Sequence, residues 1–169
     1  MRVILSDISV SPSGTYAVAA TALSGGGAPV AFIAWLDPAG KTTRLVQLSP
    51  TAALRLSFAD DGTLWALVRV HDEVFNEVPD YDMLRHYDSS GLLLNTALPR
   101  KHFRNHRFPA YVGILTTLGS RVALYAEGAR TWVELSSTGE ILGHWTFPSP
   151  PAGQKLQVTT AYLPGPAKS

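Results

Sequence analysis

A five-times repeated punctuation constrains this chain more than any other feature. The turns Ser11-Pro12-Ser13-Gly14, Asp37-Pro38-Ala39-Gly40, Ala59-Asp60-Asp61-Gly62, Asp88-Ser89-Ser90-Gly91 and Ser136-Ser137-Thr138-Gly139 each end in glycine and sit between apolar runs. A type I turn that leads into a residue of positive φ needs glycine at that last position. The clearest case is 53–70, ALRLSFADDGTLWALVRV, where Asp-Gly separates two apolar runs and marks a hairpin. The chain is therefore expected to be all-β and built from antiparallel strands joined by short turns.

Taken in order, strands are expected at 8–11, 15–22, 30–36 and 42–48. The scheme repeats at 54–58, 63–70, 83–87 and 92–98, and again at 111–117, 121–126, 131–135 and 141–147. The glycines before each fourth strand stand at 40, 91 and 139, in steps of 51 and 48. Those before each second strand stand at 14, 62 and roughly 119. A four-stranded repeat of about 40–50 residues is the period of propeller blades. Leu64, Ala66 and Val68 face one way and Trp65 and Leu67 the other, so the second strand reads as buried on both faces, as between two neighbouring sheets. The fourth strands carry Thr43, Arg44, Gln47, Asn95 and Thr96, which suits a wet outer edge. Apolar residues at helical spacing with capping signals are missing. A two-sheet sandwich is the competing architecture, but it does not call for a repeat of this length.

On SVSPSGTYAVAA, SFADDGTLWALVRV and the turns at 37–40, 88–91 and 136–139, the chain resembles the six-bladed β-propellers of the TolB-like and NHL-like groups. The resemblance spans nearly the whole chain as one domain, with blades at about 8–48, 54–98 and 110–147 and the start of a further strand at 156–165. It implies a fold and no particular activity, because propellers host many unrelated functions. Three blades do not close a ring. Either the remainder of a longer propeller or another copy of this chain is expected to complete it.

Composition excludes several classes. The net charge of +1 provides no global field for nucleic acid or an anionic membrane. Cysteine is absent, which removes disulfides and thiolate metal sites. The apolar start at 1–5 meets Ser6-Asp7 too early for a signal peptide, and no run is long enough to span a membrane. The chain reads as soluble, with its compartment undetermined.

In a four-stranded blade the glycine turns share one rim, and the second-to-third loops and the links between blades share the other. Two connections on that second rim are long and charged, and long loops on a rigid scaffold are where function concentrates. The stretch 71–82 holds Asp72, Glu73, Asn76, Glu77, Asp80, Tyr81 and Asp82. The stretch 100–107 holds Arg100, Lys101, His102, Arg104, His106 and Arg107. These are the candidate ligand-binding residues, with Arg100 and Arg104 expected near Asp80, Asp82 or Glu77. Mutual ion pairing of the two stretches explains the same residues without any ligand. The acidic set lacks the spacing and glycine of a calcium loop, and His102 and His106 align as ligands only on a helix. Neither a metal nor a cofactor is therefore expected. Ser6-Asp7 lacks the elbow motif of a hydrolase nucleophile, and Trp35, Trp65, Trp132 and Trp145 read as core. The expected function is a binding module for a peptide, glycan or protein. The alternative is a hydrolase or lyase using carboxylates and histidines of this face, with or without a metal.

Overall fold

The computed structural model describes residues 1–70, 80–103, 112–126, 129–151 and 153. The described chain consists of three sequential four-stranded antiparallel sheets. The first contains β1 (Arg2–Val10), β2 (Tyr16–Leu23), β3 (Val30–Leu36) and β4 (Thr42–Gln47). The second contains β5 (Thr51–Phe58), β6 (Leu64–Val70), β7 (Asp82–Tyr87) and β8 (Leu93–Pro99). The third contains β9 (Val112–Leu118), β10 (Arg121–Ala126), β11 (Thr131–Leu135) and β12 (Ile141–Thr146). Each strand pairs with its neighbour in sequence, so each sheet is an up-and-down meander. A 3-10 turn, Arg100–Phe103, follows β8. Among the described residues no helix is long and apolar enough to cross a membrane.

The five tetrapeptides fold alike. In each, the glycine N–H donates to the carbonyl of the first residue at 2.8–3.0 Å. The first residue's own N–H donates to the carbonyl just past the glycine at 2.8–2.9 Å. Asp37, Asp88 and Ser136 add a side-chain oxygen that accepts two further turn N–H groups, the local competition that favours Asp and Ser in turns. Gly62, Gly91 and Gly139 have φ of 82°, 82° and 88°, in the left-handed region.

The core lies in two seams between sheets. In the first, Ala17, Ala19, Ile33 and Trp35 of the first sheet pack on Leu56, Phe58, Leu64 and Tyr87 of the second. In the second, Trp65, Leu67 and Leu84 pack on Val122, Leu124, Val133 and Leu135 of the third. The middle sheet is thus covered on both faces, which is why β6 is apolar at consecutive positions, as expected from its sequence. The outer strands β4 and β12 are mostly exposed.

Inner strands are also joined across the seams by polar groups. Asp7 Oδ2 accepts from Leu56 N at 2.8 Å, and Ser9 Oγ accepts from Phe58 N at 3.2 Å. Ser57 Oγ lies 3.1 Å from Thr117 Oγ1, whose hydroxyl donates to the Phe58 carbonyl.

Two expectations need correction. β1 begins at Arg2 rather than residue 8, because Ser6-Asp7 does not interrupt the strand. The register slips between Leu5 and Asp7, and the same bulge recurs between Ala53 and Arg55, where β5 begins at Thr51. Trp35 and Trp65 are buried as expected, but Trp145 is half exposed on the outermost strand. The expected strand at 156–165 lies outside the described residues.

Candidate functional site

The antiparallel registers fix which ends of the strands share a rim. β7 starts and β8 ends on the rim opposite the glycine turns, with Asp82 paired to Pro99. The described ends of the two charged connections therefore adjoin. Arg100 N donates to the Tyr81 carbonyl at 2.7 Å. Lys101 Nζ lies 3.6 Å from Asp80 Oδ2, with both side chains about half exposed (52% and 53%). Asp82 Oδ2 accepts from Thr96 Oγ1 at 2.5 Å. Lys101, a neighbour of the expected Arg100 on the basic connection, is thus a cation beside Asp80. Asp72, Glu73, Asn76, Glu77, Arg104, His106 and Arg107 lie outside the described residues.

His102 stands on the 3-10 turn with its ring edge-on to Phe103 and to His144, at centroid distances of 5.0 and 5.3 Å. His144 belongs to β12 and is 42 residues away in sequence, so no local pattern announces the pair. Burial pushes the His102 imidazole below its usual value, and the neighbouring His144 charge adds to that shift. Among the described residues no three His, Cys, Asp or Glu groups gather where a metal ion would sit.

A second polar feature has no local sequence signal, because its members come from four strands and its histidine is buried among apolar neighbours. Ser57, Trp65, His86 and Asn95 form one cross-strand row in the middle sheet. His86 is 5% exposed and stacks on Trp65, with centroids 4.1 Å apart and planes at 5°. Trp65 Nε1, His86 Nε2 and Asn95 Oδ1 are buried without a hydrogen-bond partner among the described residues. Desolvation lowers the His86 pKa, opposed by Asp61 and by the Ser137 backbone. The row lies in a seam near the glycine rim, so it shapes the contact between sheets.

Comparison with known proteins locates this architecture. No family model matches the chain, and no curated protein matches it. Solved structures do. A crystal structure of BBS1N in complex with ARL6DN superposes with a TM-score of 0.53 at 15% identity, covering 88% of this chain and 42% of that one. The fold is that of a partial β-propeller. A protein of unknown function from Bacteroides caccae matches with a TM-score of 0.49 at 12% identity, over 85% of this chain and 46% of its own. A virginiamycin B lyase from Staphylococcus aureus matches with a TM-score of 0.34 at 10% identity, over 88% and 71%. This partial propeller spans less than half the length of the first two.

Proposed function

We propose that the chain is a binding module that presents the rim built by 71–82 and 100–107 to a protein, peptide or glycan. The observation that carries this reading is the adjacency of the two charged connections, through Arg100–Tyr81 and Lys101–Asp80, on a scaffold held by two packed seams. An exposed pair such as Lys101–Asp80 contributes only about 0–1 kcal/mol to stability. Charges that contribute so little to folding remain free to serve recognition, where complementary potential sets on-rate and partner choice. BBS1N was solved with a partner protein bound, which supports a protein ligand for this propeller as well. The reading requires that the outermost sheets be covered, by another copy or by the remainder of a longer propeller.

The test uses a peptide library and a glycan array probed with the whole chain. Any captured probe is then re-measured with Arg104→Glu/Arg107→Glu and, as a control on the opposite rim, Asp60→Lys. Loss of capture of about tenfold or more in the first variant, with the second unchanged, is expected. Equal binding by all three proteins refutes the rim as the binding face.

A further inference from the structure

The two outermost sheet faces differ, and the difference identifies what covers one of them. The rear face of the first sheet, pointing away from the second, carries no charged side chain on any strand. Leu5, Ile8, Val10 and Leu45 are 70%, 59%, 53% and 59% exposed there, around Tyr16 and Phe32. A contiguous apolar sheet face of this size marks an interaction surface. The rear faces of the second and third sheets are also largely apolar, that of the second carrying Arg85, which donates to Thr51 Oγ1 at 2.8 Å, and each receives the forward face of the preceding sheet.

The forward faces repeat a row located four residues past the outer-turn glycine. The rows are Ser9–Ala17–Trp35–Arg44, Ser57–Trp65–His86–Asn95 and Thr116–Ala123–Glu134–Gly143. All three inner strands carry a hydroxyl in this row. Ser9 uses it on Phe58 N and Ser57 on Thr117, while Thr116 has no side-chain partner among the described residues. Phe58 stands 48 residues after Val10, the same step as from Gly14 to Gly62. Val10 is on an edge strand, and its N–H points away from β2 as that of Phe58 points away from β6. Among the described residues a donor at Val10 and an acceptor at Thr116 thus stand open on the outer faces of the first and third sheets. Trp145, half exposed, lies on the same forward face as Thr116.

Charge agrees with this complementarity. Glu134 occupies the position of Trp35, whose ring lies 3.3 Å from where a Cβ on Gly91 would stand. Glu134 Oε1 accepts from Trp132 Nε1 at 3.1 Å, and the equivalent turn on the first sheet, 37–40, is followed by Lys41, with the Asp37 carboxylate turned onto the Ala39 and Lys41 N–H groups. We propose that the rear face of the first sheet is covered by the forward face of the third sheet of a second copy, so that two chains close a six-sheet ring through two identical seams. This rests on the three-sheet architecture and is independent of what the rim binds.

Area selects this arrangement over a rear-to-rear pair. Four strands spaced at about 4.8 Å, each presenting some six to eight residues, give a footprint of roughly 400 Å² per seam. A rear-to-rear dimer has one such seam. The ring has two, about 800 Å² per partner, which is the size of a standard specific interface.

The solution mass of the whole chain, measured by sedimentation over a concentration series, tests the proposal. A species of twice 18.2 kDa is expected. Ile8→Lys on the rear face and Trp145→Lys on the forward face should each weaken self-association by about tenfold or more, since each buries an unpaired charge. In a rear-to-rear dimer Trp145→Lys would be silent. Glu134→Lys and Lys41→Glu should each weaken association, and the double variant should regain it, which separates a lost seam from a misfolded chain. A mass of 18.2 kDa at every concentration, a silent Trp145→Lys, or no recovery in the charge swap overturns the ring. Normal mass with failed probe capture would instead count against the rim reading alone.

Discussion

Replacing three turn glycines by alanine separates two physical costs that the structure combines differently at each site. At Gly62 a new Cβ meets nothing within 4 Å, so the change tests the φ of 82° alone. Left-handed backbone costs an L-residue about 1–2 kcal/mol. The stiffer unfolded chain returns about 0.4–1 kcal/mol, leaving a loss of roughly 0.5–1 kcal/mol. At Gly91 the new Cβ would stand 3.0 Å from Arg44 Cγ and 3.3 Å from the Trp35 ring. The arginine is free to shift, but Trp35 is buried in the first seam and is not. At Gly139 the new Cβ would lie 2.6 Å from Ala97 Cβ, a rigid atom of the neighbouring sheet. Overpacking of that kind adds about 1–3 kcal/mol, so Gly139→Ala should lose about 2–4 kcal/mol in total.

Urea unfolding at fixed chain concentration measures the series, with losses expected to rise from Gly62 to Gly91 to Gly139 at constant slope. Ala97→Gly provides the internal control. Alone it should destabilise, through a lost buried methyl of about 0.8 kcal/mol and a strand glycine of about 0.5–1 kcal/mol. With Gly139→Ala it should rescue, with a favourable coupling of about 1–3 kcal/mol. Equal losses at all three glycines, or absence of coupling at the Gly139–Ala97 pair, would show that the third sheet does not sit against the second as described.

Three further outcomes are expected. Asp7→Ala leaves the buried Leu56 N–H without its acceptor and should cost about 1–3 kcal/mol in the same urea assay; a loss under a few tenths would remove the polar link between the first two inner strands. Because burial holds the His86 pKa below 6.5, the unfolded chain binds more protons as pH falls below that value. Stability should therefore fall with acidification below about pH 6.5 and be flat in this contribution above it. His86→Phe, which keeps a ring on Trp65, should flatten that slope in midpoints read across pH, and an unchanged slope would exclude His86 as its source. Lys101→Ala should alter stability by no more than about 1 kcal/mol, and a larger loss would make the Asp80 contact structural.

How far the sequence could be read follows from which interactions are local. The glycine turns are fixed within five residues by backbone geometry, so their positions and φ were legible directly. Double-sided burial of β6 was legible because it leaves a continuous apolar run. The start of β1 was not, because a bulge at Ser6 and a carboxylate at Asp7 that serves the next sheet look like a strand end. His102 and His144 are related only by the stacking of whole sheets, and no short window contains the pair. Trp145 reads as core because its strand pattern is right, yet β12 is the outermost strand. Of the charged rim, the residue types were legible, whereas the approach of Lys101 to Asp80 depends on the 3-10 turn that follows Pro99.

The two rims also differ in how freely their sequences can vary, and this bears on where recognition resides. On the glycine rim each turn is closed by two backbone hydrogen bonds and a residue of positive φ, five times over. Three of these glycines also approach a neighbouring turn or sheet: Gly14 toward Pro38, Gly91 toward Trp35 and Gly139 toward Ala97. Side chains there are constrained by the contacts between sheets, and a ligand would have to displace them. On the link rim the described connections share no common length or bonding pattern. Arg100–Phe103 is a 3-10 turn anchored by the buried Phe103, and the strand entering it holds its penultimate residue, Leu98, at a φ of 61°. Positive φ at a buried non-glycine residue costs of order 1–3 kcal/mol and persists only where the surroundings enforce it. The strain falls where the chain leaves the repeat to form the basic connection. Under the proposed binding role, a scaffold repeated on one rim and individually shaped on the other would place its distinguishing chemistry on the second, beside Asp80, Lys101 and His102.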